Sequence, residues 1–536
     1  MPATASNTTR SAGWRREAHS GKAYGKIGSH TKDGYEGFDE RARFNKGFYL
    51  MVLGVRPEQI ANEHFDLVAI GSGFGSAFFL HAFAKQRKAR ILVLEWGRHN
   101  THEWQLDQNV NTDIDEETTY KTNSDKPWNY TIGLGGGTNC WFAQTPRFHP
   151  NDFRLKSLYG IGNDWPISYD ELEPFYCDAE DVMSISGDPD MAAMMPRSRP
   201  FPQPPHHMST PDRMMKAAQP DQHFVVPTAR ARVPTAQRSS CCANLRCGLC
   251  PVDAKFTANN GLMHVFEHPD VSVCLGAEVR RLDHVGGSVR SVVFVQDGKE
   301  YSVSGDLFIL GANAIQSPAI MLRSGLSGEF VGRGLHESYG WNFEAYLDGV
   351  DNFDGSTITT GLNFGLYDGA HRSQHAAALV YFENRWQHGM RPEKGRIRQT
   401  LPLIIVTENL LEPENLVILD EDENAFVSFK GASDYAVKGM AWAKEKLPAL
   451  LAPLPVEEIF DRGIRPTESH VQGTLRMGLS PADSVVDRDM IHHQLRNLVV
   501  VGSSTYPSCS CANPSLTAAA LSLRAASRIA GKEMAG

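Results

Sequence analysis

This chain is poor in excess charge, long apolar runs and internal repetition, and each shortage excludes a class of protein. No stretch approaches the roughly 18 consecutive apolar residues that a membrane-spanning helix needs. A formal net charge of −9 over 536 residues leaves no basic surplus, so a nucleic-acid-binding protein is not expected. Arg15-Arg16 is followed by polar sequence rather than an apolar stretch, so no secretory signal is read. The run YLMVLGV, residues 49–55, is too short and too late to replace it. A cytoplasmic location is the default expectation. The nine cysteines, an odd number, suit a reducing compartment better than a disulfide framework.

What is present is ordinary globular composition, 41% hydrophobic and 21% charged. At roughly 100–200 residues per domain, the length predicts two to four lobes. Residues 1–60 carry little periodicity and read as an N-terminal extension. FDLVAIGSG, residues 65–73, predicts a buried strand. SAFFLHAFAKQRK predicts a helix and RILVLEWG a second strand, together a βαβ unit. Residues 186–235 hold many of the prolines and predict an irregular excursion. QDGKE predicts a hairpin with an Asp-Gly turn. NLVVVGSS predicts a late buried strand, and PSLTAAALSLRAASRIAG a closing helix.

Gly71, Gly73, Gly75 and Ser76 fall between the first strand and its helix. Glycines there permit a tight turn and close approach of a pyrophosphate to the helix N-terminus. Ser76 replaces the third glycine of that pattern and is small enough to keep the packing. Glu95 ends the second strand, where a carboxylate accepts a ribose hydroxyl. The loop by itself does not separate FAD from NAD.

Three further segments do. They are GLGGGTNCWFAQTPRFHPNDF, FILGANAIQSPAIMLRSG, and ESHVQGTLRMG followed by NLVVVGSSTYPSCSCANPSLTAAALSLRAA. In order, spacing and wording, residues 65–530 resemble the glucose–methanol–choline (GMC) oxidoreductase family. Within it, FHPNDFRLKSLYGIGNDWPISYDELEPFY is similar to the branch of FAD-dependent sugar dehydrogenase subunits and pyranose oxidases. The resemblance implies an α/β fold: a Rossmann-like FAD-binding domain (61–150, 235–335 and 463–536) and a discontinuous substrate domain on an antiparallel sheet (151–234 and 336–462).

It also implies chemistry. His470 stands where the family has its base, and Asn513 where it has the polar partner. Gly136, Gly137, Thr138, Asn139, Cys140, Val279, Gly502, Ser503, Asn513 and Pro514 are then expected at the cofactor. Pro514 is expected at the first position of the closing helix. Cys140 stands where relatives carry a histidine, sometimes linked to the flavin. A thioether from Cys140 and a non-covalent flavin both remain open, the latter preferred. Trp341, Phe343, Tyr381, Phe382, Trp386 and Trp442 are candidates to cover a sugar, although core packing explains any of them equally well. The pairs His206-His207 and His492-His493 have no such context and are expected at the surface.

Cys241, Cys242, Cys247 and Cys250 crowd into SSCCANLRCGLCPVDAKF. Zinc prefers two separated pairs, and adjacent cysteines diverge. A similar segment holds a 3Fe-4S cluster in a related glucose dehydrogenase subunit. There the last spacer is three residues, whereas Gly248-Leu249 makes two here. An iron–sulfur relay and a plain cysteine-bearing loop both stay open. With a relay, a small companion subunit or a cytochrome follows as partner, and co-export to the periplasm becomes the alternative location. The expected reaction is oxidation of a secondary alcohol of a sugar, glycoside or polyol, with electrons passed to an acceptor other than oxygen. An oxidase and a lyase are the alternatives. An oligomer is open.

Overall fold

In the computed structural model, residues 54–384 and 396–531 are described. Trp386 and most of the N-terminal extension lie outside them. Among the described residues no helix is long and apolar enough to cross a membrane.

The first sheet has seven strands. Val271–Leu275, Ile91–Glu95, His64–Ile70 and Lys299–Leu310 run parallel in that spatial order. Both faces of a parallel sheet are covered, and Ile91–Glu95 is accordingly buried along its whole length. The first half of Lys299–Leu310 pairs antiparallel with Ser288–Gln296, which pairs with Glu278–Val285. Leu498–Val500 then adds in parallel beside Phe308, Ile309 and Leu310. Asp297 (φ 51°) and Gly298 (φ 74°) make the predicted Asp-Gly turn, since two positive φ values match the twist of a two-residue hairpin.

The helix after the first strand spans Phe74–Gln86, starting two residues before the predicted run. It packs against the closing helix Ser515–Ala530. Pro514 caps that helix instead of opening it: it stands one residue before the first helical position.

The second sheet is wholly antiparallel. Its order is Val456–Ile464, Tyr339–Leu347, Thr400–Thr407, Ala378–Glu383, Thr359–Asn363 and His223–Val225. Helix Asp434–Leu450 covers one face, where Phe343, Phe382, Leu403, Ile405 and Met440 form a core. The other face carries Tyr381, Ile404 and Val406. Side chains alternate across a strand, so Tyr381 and Phe382 are neighbours in sequence on opposite faces.

The proline-rich stretch is more ordered than expected. Ser209 caps helix Thr210–Ala218: its hydroxyl accepts from Asp212 N, and the Asp212 carboxylate accepts from Ser209 N. That reciprocal cap, with Pro211 in the first turn, starts a helix despite the surrounding prolines.

Candidate active site

A cavity of about 1100 Å³ runs between the two sheets. One end is built from glycine turns. A Cβ on Gly75 would stand 2.8 Å from Gly502 N, and one on Gly136 would stand 2.9 Å from Gly73 Cα. These turns touch backbone to backbone, so side chains there are excluded. Gly71, Gly73, Gly75, Gly136, Gly137, Cys140, Val279, Gly502, Ser503, Asn513 and Pro514 all line the cavity. Ser76, Thr138 and Asn139 stand buried behind its wall instead. Thr138 Oγ1 accepts from Ala258 N, and Asn139 Nδ2 donates to Leu134 O. Ser76 fills the space a Cβ on Gly311 would need. Small polar residues turned inward brace the glycine loops.

The cavity suits a dinucleotide at this end. Helices Phe74–Gln86 and Ser515–Ala530 both begin at its wall without a side-chain cap on their first N–H groups. Uncapped helix starts are anion sites. Glu95 is buried at the same wall. Its Oε1 accepts from Gly97 N and Gly133 N, and its Oε2 from Ser72 N and the Ser72 hydroxyl. Burial raises the Glu95 carboxyl above its usual range, against those four hydrogen bonds.

The other end holds His470 and Asn513. Asn513 Nδ2 lies 3.1 Å from His470 Nε2. Asn513 Oδ1 accepts from the Tyr381 hydroxyl at 3.1 Å, so Nδ2 is the donating side of the amide. His470 Nε2 is therefore an acceptor, and Nδ1 carries the proton toward Ser338 Oγ at 3.2 Å. Burial holds the His470 imidazole down to about 3, with the Arg465 and Lys126 charges acting in the same direction. The ring is neutral, with a lone pair at the cavity.

Glu337 fixes the backbone beneath it. Its carboxylate accepts from Glu468 N, His470 N and the Thr467 hydroxyl, and pairs with Lys126. Sequence reading missed Glu337 and Ser338, and missed Tyr381 as the partner of Asn513. It also missed Arg465 and Glu468, which line the cavity nearby. Glu468 and Arg465 are close in sequence to His470, the signal that could have drawn attention to them.

Of the proposed aromatic cover, only Tyr381 lines the cavity among the described residues. Phe343 and Phe382 are core, Trp341 and Trp442 pack against that core, and Trp442 stacks on His371 at 4.5 Å. Strand alternation decides this for Phe343, Tyr381 and Phe382, whereas Trp442 lies on the helix Asp434–Leu450. Two histidines expected outside are inside. His206 is buried between Ser356 Oγ and Arg230 O, and His492 is buried in the turn before Leu498. A ring nitrogen of His206 meets Arg230 O, 24 residues on, and His492 Nδ1 accepts from Gln494 N and Leu495 N in its own turn, which is why neither needs a functional context.

Cys241, Cys242, Cys247 and Cys250 line one small second cavity with Arg230 and Lys255. Among the described residues no group of three or more His, Cys, Asp or Glu side chains is placed to hold a metal ion. Burial pushes the Cys247 thiol up to about 12 and raises Cys242. As placed, these thiols do not form a cluster ligand set. Buried Lys255 joins this loop to the cofactor end, with Nζ 2.9 Å from both Asn139 O and Gly248 O.

Profiles of the GMC oxidoreductase family match residues 168–339 and 427–522. The chain belongs to the GMC oxidoreductase family. It is 27% identical to the fructose dehydrogenase large subunit of Gluconobacter japonicus, over 87% of this chain and 97% of that one. It is 27% identical to 6'''-hydroxyparomomycin C oxidase of Streptomyces lividus, over 88% and 92%. Pyridoxine 4-oxidase from Mesorbium loti shares the fold at a TM-score of 0.62 and 18% identity, over 87% and 99%. Formate oxidase does so at 0.62 and 16%, over 88% and 98%. This GMC member is thus an oxidoreductase acting on CH–OH donors, and its family supports FAD as cofactor.

Proposed function

We propose that the protein oxidises a secondary alcohol of a sugar, glycoside or polyol, with His470 as the base. The observation that carries this is His470 Nε2 lying 3.1 Å from Asn513 Nδ2 at the cavity. A substrate hydroxyl that displaces the Asn513–His470 hydrogen bond accepts from Asn513 Nδ2 and donates to His470 Nε2. His470 takes the hydroxyl proton as the carbon beneath loses hydride, leaving a carbonyl. FAD, when bound, supplies the hydride acceptor. Ser338 and Tyr381 hold the tautomer and the amide in register, and Glu337 holds the loop.

On this reading, segments 61–150, 235–335 and 463–536 carry the cofactor, and 151–234 and 336–462 cover the substrate. The glycine turns and the two helix N-termini take the pyrophosphate. A non-covalent flavin is supported by Cys140, whose thiol burial raises above its usual range. A protonated thiol is a poor nucleophile.

For the acceptor we favour a carrier other than oxygen, as the name of the fructose dehydrogenase large subunit suggests for that relative. Anaerobic mixing with D-fructose and a panel of sugars and polyols should bleach the flavin. Failure of every alcohol to do so would overturn the oxidation. Rapid peroxide formation on readmitting air would replace the dehydrogenase reading with an oxidase.

A further inference from the structure

We propose that Arg465 and Glu468 clamp a second hydroxyl on the ring of the substrate that His470 oxidises, so that the site selects polyhydroxylated alcohols over simple ones. The inference rests on the oxidation proposed above and goes further by naming what recognises the substrate.

Both side chains line the cavity. Arg465 Nε donates to Glu468 Oε1 at 2.6 Å, and Arg465 Nη1 donates to Asn342 Oδ1 at 3.2 Å. The pair sits in a recess made for it. A Cβ on Gly340 would lie 1.7 Å from Glu468 Oε1, 2.6 Å from its Cδ and 3.0 Å from Arg465 Cδ. Gly340 is in the interior sheet strand Tyr339–Leu347, where glycine weakens a strand and marks a close approach. Here what approaches is the carboxylate. The backbone beneath is held too: Arg465 N donates to Gly340 O, and Glu468 N to Glu337.

The Glu468 carboxylate is only partly satisfied. Its Oε2 takes no hydrogen bond from the described residues, whereas Oε1 is occupied by Arg465. Burial lifts this carboxyl to about 7, with Arg465 opposing the rise and Glu337 adding to it. The pair is part-buried at the cavity wall, and a hydroxyl donor at Oε2 would complete the carboxylate's hydrogen bonding. Glu468 lies two residues before His470. Two residues span at most about 7 Å of chain, so one monosaccharide ring can meet both groups.

The test compares kcat/KM for cyclohexanol with that for the 1,2-, 1,3- and 1,4-cyclohexanediols in the FAD-loaded protein. We expect a preference for at least one diol, falling about tenfold in E468Q, the scale of one hydrogen bond to a charged group. The same loss is expected in G340A, which displaces the carboxylate without changing its chemistry. Flavin content and melting temperature establish that each variant is folded. A diol preference retained in both variants overturns the proposal. So does an equal loss for cyclohexanol and the diols, which would make the pair a support for the His470 loop. If no alcohol reduces the wild-type flavin, the oxidation reading fails separately. The clamp is then read from the change D-fructose makes in the oxidised flavin spectrum. Weakening of that binding about tenfold in E468Q supports it, and no spectral change in the wild type overturns it.

Discussion

His470 Nε2 and Asn513 Nδ2 lie 3.1 Å apart although 43 residues separate them. Removing the base should cost more than removing a hydrogen bond. H470A is expected to slow anaerobic flavin reduction by about 10²–10⁴-fold, the usual worth of a general base. Flavin content should be kept. Stopped-flow bleaching of the flavin measures it, and a loss under tenfold would remove His470 from proton transfer.

Tyr381 acts one bond further out, through Asn513 Oδ1 and Cys511 O. Y381F leaves the ring in place and deletes the donor. One neutral hydrogen bond is worth about 1 kcal/mol, so kcat should fall about fivefold with KM nearly unchanged. Steady-state kinetics on the best alcohol found decide this.

Burial holds His206 and His336 to about 4 and His470 to about 3. The unfolded chain, with histidine near ~6.5, then binds protons that the folded chain does not. Their share of stability is whole above about pH 6.5 and is lost as pH falls toward those lower values. Melting temperature should decline through that window. The acid limb of kcat/KM in the free enzyme should also lie well below the ordinary histidine range.

Gly75 meets Val501 and Gly502 where no Cβ fits. G75A should push the glycine turns apart and loosen the flavin. We expect at least a tenfold rise in the dissociation constant, measured by flavin released on ultrafiltration. Unchanged retention would place the cofactor elsewhere in the cavity.

Arg372 is fully buried and pairs with Asp152 at 2.8 Å and Glu408 at 2.6 Å. Asp152 in turn accepts from the Tyr367 and Ser510 hydroxyls, tying the loop before Leu155 to the approach to Asn513. R372M would leave two buried carboxylates unpaired. A loss of about 3–5 kcal/mol in urea unfolding is expected.

Local pattern determined much of this protein. The alternation and apolar runs of residues 65–70, 91–95, 288–310 and 498–500 mark strands because burial on a sheet demands them. The Asp297-Gly298 turn and Gly71 follow from φ values that few other residues adopt, and Gly75 from a backbone approach that admits no Cβ. The motif wording around His470 and Asn513 picked out both residues before any geometry was known. Tertiary structure decided the rest. Which face Tyr381 presents depends on strand register, so of two adjacent aromatics one reached the cavity and the other the core. His206 went inside because Arg230 O, 24 residues further on, needed a partner. Ser338, Tyr381 and Glu337 reach the His470–Asn513 site from elements 130 or more residues away in the chain. A hydrogen bond across that separation leaves no local periodicity to read, and only packing the sheets against one cavity brings it about.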